Sequence, residues 1–176
     1  MSTSRILKVG ESYTFSKIFE LPFDIKDILS DLGYDYARQS LSLPQYTGAL
    51  ERLPLLLEQI QDGIRYVNST SEQAKREFLV APAVRELCRQ TQTEVRVDYP
   101  VAVSEWLRGS FDYYFENLLI IEAKRDNLNN GFTQLAAELI ALGQWTTSDT
   151  PLFYGAVTTG VDWLSGTFDR TPRLIT

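Results

Sequence analysis

A chain of 176 residues, 44% of them apolar, is long enough to close one core and has no run approaching the length of a membrane span. With no histidine and a single cysteine, it excludes Ser-His and Cys-His nucleophile pairs, histidine-ligated zinc and internal disulfides. The net charge of −6 opposes any general affinity for phosphates, so a grip on nucleic acid would need a local patch.

The N-terminus lacks the basic-then-apolar pattern of a secretory signal, and the lone thiol, Cys88, fits a reducing cytoplasm. Residues 24–32 space Ile25, Ile28, Leu29 and Leu32 as a helix, with Asp24 able to cap it and Gly33 able to end it. Residues 34–43 read as strand or loop, and residues 53–64 as a second helix with Pro54 in its first turn. A third helix starts near residue 69, where Ser69 and Glu72 have the spacing of a capping box. Pro82 should kink it, and Phe78, Leu79, Val84, Leu87 and Cys88 should form its buried face.

Residues 93–103 alternate apolar and polar and predict a strand, an edge or a bulged one at Pro100. Two more strand-like runs follow, FDYYF and LLIIEAK, completing a three-stranded antiparallel meander. Residues 125–131 read as a loop of turn formers, 132–143 as a helix, 153–159 as a strand, 159–160 as a turn and 162–168 as a strand. Helix, three strands, helix, strand, strand predicts one domain of the α/β class, a single mixed β-sheet flanked by helices. Residues 1–68 make an N-terminal helical extension and 169–176 a tail.

The chemistry concentrates in the hairpin. Glu122 and Lys124 stand two residues apart on an apolar strand, so both project from one face, and burying both is costly unless each has a partner or a metal. Register decides whether Asp112 joins them. A two-residue turn at Glu116-Asn117 would pair Asp112 with Ile121 and send it to the opposite face from Glu122. A three-residue turn, Glu116-Asn117-Leu118, or an equivalent bulge pairs Asp112 with Glu122. It also leaves Phe111, Tyr113, Phe115, Leu119, Ile121 and Ala123 on a more apolar face, and the segregation favours this second register.

Asp112, a short hairpin, Glu122-Ala123-Lys124 and then a helix carrying Gln134 resemble the signature of the PD-(D/E)XK, or restriction-endonuclease-like, nuclease superfamily. The resemblance covers residues 69–168, with Glu72 matching an acidic residue on the first core helix and Phe111 standing in place of the signature's proline. It implies a restriction-endonuclease-like core and Mg²⁺-dependent hydrolysis of DNA phosphodiesters. Asp112, Glu122 and the Ala123 carbonyl would hold Mg²⁺ or Mn²⁺, since hard oxygen donors suit those ions better than zinc. Lys124 would orient water or stabilise charge at phosphorus, with Glu72 and Gln134 in supporting roles.

Residues 64–97 carry six basic against four acidic residues, a local patch in which Lys75, Arg76 and Arg89 are the expected nucleic-acid contacts. DNA is the expected partner, without a membrane, and a homodimer or partner subunit is possible. The competing expectation is a non-catalytic nuclease-fold protein that binds nucleic acid or a protein.

Overall fold

Helix ends in the N-terminal third form at the residues chemically suited to make them. In the computed structural model, which describes residues 5–68, 71–115, 119–123 (backbone only) and 127–176, Asp24 caps α2 (Ile25–Asp31). Its carboxylate accepts the Lys26 N–H at 2.8 Å. Gly33, at φ +81°, takes the left-handed conformation just past that helix. Before it lies α1 (Phe15–Phe19), capped by Thr14, and after it β1 (Asp35–Tyr36). α3 (Leu53–Tyr66) has Pro54 in its first turn, as expected, and extends to Tyr66.

The next helical rod departs from expectation. Its N-cap is Ser71, whose Oγ accepts the Ala74 N–H at 3.1 Å, so Glu72 is the first helical residue and not the third residue of a capping box. Ser69 lies outside the described residues. The rod runs through α4 (Glu72–Lys75), a π-turn (Arg76–Val80) and α5 (Ala81–Thr91). Pro82 has no N–H to offer the Phe78 carbonyl. The chain absorbs the mismatch as a wide turn in which the Ala81 N–H reaches the Arg76 carbonyl. The extra residue in that turn rotates the buried face. Phe78, expected inside, is 46% exposed, while Val80 is fully buried beside Leu79 and Val84. Leu87 and Cys88 are half-buried against the same cluster, and burial pushes the Cys88 thiol up, as befits an inert thiol.

The antiparallel meander forms as expected from β2 (Val95–Ala102), β3 (Arg108–Phe115) and β4 (Leu119–Ala123). α6 (Leu128–Trp145) then crosses over to β5 (Leu152–Thr158), which lies parallel to β4, and β6 (Trp163–Asp169) returns antiparallel. Residues 128–131, expected in a loop, are the first turn of α6, because the Asn127 carboxamide oxygen accepts the Asn130 N–H at 2.9 Å. The expected C-terminal tail supplies β7 (Leu174–Ile175), paired on one side with β6 and on the other with β1. The sheet order is β1-β7-β6-β5-β4-β3-β2, which leaves Pro100 in an edge strand.

Helices cover both faces of this mixed sheet. On one face α1, α2 and α6 close the main core around Phe15, Phe111, Leu135, Leu139, Phe153 and Phe168. On the other, Val80 and Val84 seat against Tyr113 and Phe115. The N-terminal extension is partly integral to the fold: Leu7, Ile18, Ile28 and Leu29 are completely buried in the main core, and β1 extends the sheet. No helix of the described residues is long and apolar enough to cross a membrane.

Gly63 lets α3 rest on the π-turn. A Cβ there would stand 2.7 Å from the Phe78 carbonyl oxygen and 2.9 Å from Leu79 Cδ2. Alanine in place of a mid-helix glycine gains about 1 kcal/mol of propensity, but a backbone carbonyl cannot step aside. Gly63→Ala is expected to lower the unfolding free energy by about 1–2 kcal/mol in urea titration, the cost of overpacking winning. A stabilised variant would show that α3 does not pack there.

Candidate metal and phosphate site

The hairpin adopts the register that pairs Phe115 with Leu119, Tyr114 with Ile120 and Tyr113 with Ile121. This is the expected register as far as Tyr113 and Ile121, and the pairs end there, one residue short of Asp112 and Glu122. The expected turn, residues 116–118, lies outside the described residues. Glu122 and Ala123 are the last residues of β4, paired with Val157 and Thr158 of β5. Their side chains, and Lys124 entirely, lie outside the described residues, so its expected place beside Asp112 does too.

The expected segregation of faces does not hold. Phe111 belongs to the main core and Tyr113 and Phe115 to the cluster on the opposite face, although residues two apart on a strand normally share a face. The switch occurs at Asp112. β2 and β3 pair on either side of it, Val97 with Tyr113 and Tyr99 with Phe111, but the Asp98–Asp112 pair between them is missing. Asp98 stands at φ +51°, a left-handed conformation that aspartate tolerates better than most residues.

Arg76, from the first residue of the π-turn, fills this break. One guanidinium nitrogen, Nη2, donates to Asp98 Oδ1 at 2.8 Å and to the Asp112 carbonyl at 3.1 Å, while Nη1 lies 3.6 Å from Asp112 Oδ1. The group also stacks over the Tyr113 ring, 4.9 Å from its centroid. Burial works against the charge on Arg76, but hydrogen bonds to Tyr113 and Asp98 and the two carboxylates outweigh it and raise its pKa. A cleft of about 550 Å³ opens here, bounded by Glu72, Arg76, Glu77, Asp98 and Tyr113.

Glu72 is thus exposed at the rim of the cleft that holds Arg76. Lys75, half-buried, neighbours Arg76 in sequence. Arg89 is not part of this group: it donates to Glu86 at 2.9 Å, and Arg52 reaches the same carboxylate at 3.3 Å in a different cleft. The expected basic patch is therefore divided, and the two arginines expected to contact nucleic acid, Arg76 and Arg89, are already engaged by carboxylates.

Gln134 is 3% exposed inside α6 and donates from Nε2 to Glu138 Oε1 at 2.9 Å. Among the described residues its own Oε1 accepts no hydrogen bond. Glu138 is completely buried, and sequence reasoning missed it. The available signal was an acidic residue four positions after Gln134, on a helix otherwise apolar at that level. Asp98 was missed as well, hidden in a strand that reads as cleanly alternating.

Asp112, Glu122 and the Ala123 carbonyl are hard oxygen donors by residue type, of the kind a divalent cation takes. Among the described residues, which leave out the Glu122 side chain, there is no group of three acidic or thiol side chains that could hold a metal. Neither family models, curated proteins nor solved structures match the chain.

Removing Arg76 would take a guanidinium away from Asp112 in a site where the two side chains keep only 18% and 22% exposure. Arg76→Ala is expected to cost about 1–3 kcal/mol in chemical denaturation, less than a fully buried pair. Asp98→Ala should cost less than about 1 kcal/mol through this ion pair, since Asp98 is 66% exposed. Equal losses would show that the Asp98 contact carries the arrangement.

Proposed function

We propose that the protein is a metal-dependent nuclease with a restriction-endonuclease-like core, hydrolysing phosphodiester bonds of DNA. The observation that supports this reading is the hairpin register, whose last pair, Tyr113 with Ile121, stands one residue short of Asp112 and Glu122. The order of helix, antiparallel meander, crossover helix, parallel strand and antiparallel strand is what the resemblance implies for such a core.

Asp112, Glu122 and the Ala123 carbonyl would hold the ion, and Mg²⁺ or Mn²⁺ bound there supplies a polarised phosphate and a more acidic water. Lys124 orients the attacking water or stabilises the charge on the non-bridging oxygens. Water adds its oxygen to phosphorus, the bond to the leaving oxygen breaks, and a proton ends on that oxygen. Gln134 braces the lysine or the phosphate, and Glu72, at the rim, acts through water or through Lys124. Lys75 and Arg76 receive the phosphate backbone, a contact that added salt weakens.

Arg76 favours a second reading. Its guanidinium lies 3.6 Å from Asp112 Oδ1 and already supplies the positive charge that a metal would bring. A nuclease-fold protein that binds nucleic acid or a protein partner without cutting would keep this arrangement.

Supercoiled plasmid incubated with the protein and Mg²⁺ or Mn²⁺ separates the two. Nicking that EDTA abolishes, and that Asp112→Asn, Glu122→Gln and Lys124→Ala each reduce by about 10²-fold or more, is expected of the nuclease. Intact plasmid under every condition, with DNA binding retained, is expected of the second reading.

A further inference from the structure

Three clefts of comparable size, about 500–550 Å³, open on the surface of the described residues. Two are acidic. One sets Glu72, Glu77 and Asp98 against Arg76, and another sets Asp62 and Glu77 against Arg85. In each the carboxylates outnumber the arginine.

The third has a different chemistry. It is bounded by the aromatic residues Phe23, Tyr36 and Phe132, the amide side chains of Gln39 and Asn129, and Arg38. Its acidic side chain, Asp24, caps α2 by accepting the Lys26 N–H at 2.8 Å, and Arg38 balances its charge. Tyr36 and Phe132 form a wall, with ring centroids 6.2 Å apart and planes tilted by 55°. Phe23 stands half exposed, at 51%, a large apolar ring beside polar neighbours. Flat apolar faces, amides with both donor and acceptor atoms, and a planar cation together suit a heteroaromatic ring that bears a phosphate.

Its position ties it to the candidate site. β1 runs parallel to β7, and β4 to β5, while β6 lies antiparallel to both β5 and β7, so β1, β7, β5 and β4 all end toward one edge of the sheet. The cleft lies at that edge, next to the end of β1 at Tyr36 and the start of β6 at Leu164 and Ser165. Glu122 and Ala123 end β4 at the same edge. In open α/β sheets ligands bind outside the carboxyl ends of the parallel strands. From β4 to β1, where Tyr36 and its neighbours Arg38 and Gln39 stand, is four strand spacings, about 20 Å, a span that a few nucleotides of a strand cover.

We propose that this cleft receives an unpaired nucleobase of the bound strand. Phe23 stacks on its face, Gln39 and Asn129 meet its edge and Arg38 holds its phosphate. A base in a duplex cannot enter such a cleft without leaving its stack, so the substrate is single-stranded or presents an extruded base. The placement relative to a scissile phosphate rests on the nuclease reading; the binding of a nucleotide does not.

The test uses the full chain carrying Asp112→Asn, with EDTA throughout, so that binding is read without cleavage. Its probes are AMP, a fluorescein-labelled single-stranded DNA and the duplex of the same sequence. Single strand is expected to bind about tenfold or more tightly than duplex, and Phe23→Ala and Arg38→Ala are each expected to weaken both AMP and single-strand binding about tenfold. Both side chains lie at the surface, and circular dichroism of each variant verifies the fold. Equal affinity for the duplex, or binding unchanged in both variants, overturns the proposal. A wild-type protein that never cuts plasmid yet shows the expected binding pattern overturns the nuclease reading and leaves this one standing. Cutting with binding indifferent to Phe23 and Arg38 does the reverse.

Discussion

The close seating of α6 on the sheet is the constraint on which the other elements depend. This helix is buried continuously from Gly131 to Gly143, because α1 covers it on one side and β4, β5 and β6 on another. Such contact needs a sheet surface without side chains in the way. Gly155 and Gly166 provide it, since a Cβ at the first would come within 2.8 Å of Leu135 and at the second within 2.7 Å of Phe132. A parallel pair of strands requires a crossover of about this length, so the helix that fills the core also joins β4 to β5. Its position therefore determines where β4 ends, and with it where Glu122 and Ala123 stand. The same helix carries Gln134 and Glu138 into the interior, where the amide of one donates to the carboxylate of the other.

On the opposite face the arrangement depends on a mismatch. Pro82 prevents a regular helix through Phe78, the rod widens into a π-turn, and Arg76 starts that turn. Its guanidinium reaches the point where β2 and β3 fail to pair. Holding Asp98 in a left-handed conformation costs on the order of 1–3 kcal/mol, and the bonds from Arg76 to Asp98 and to the Asp112 carbonyl offset that cost. The strain sits beside the carboxylate on which the proposed chemistry depends. A break of this kind turns the strand at Asp112, so that residues before and after it serve different cores.

Much of this was legible locally. Asp24, Gly33 and Pro54 mark helix ends because each acts through its own backbone or through an amide two residues away, which no distant contact has to supply. The meander and the hairpin register were also readable, although the argument from segregated faces fails at Phe111. Pairing is decided by turn length over the few residues between Phe115 and Leu119, whereas the face each side chain takes depends on a third element. Position 76 reads as a solvated helix residue until the π-turn and the broken pair bring it to Asp112, and Glu138 reads as one polar residue in a helix until both sides of that helix are covered. β1 and β7 are two residues each, too short for any periodicity, and form only because each finds the edge the other needs. Local chemistry thus determined where elements start, stop and turn. The tertiary structure decided which polar groups are buried together, because burial and ion pairing belong to residues far apart in the chain.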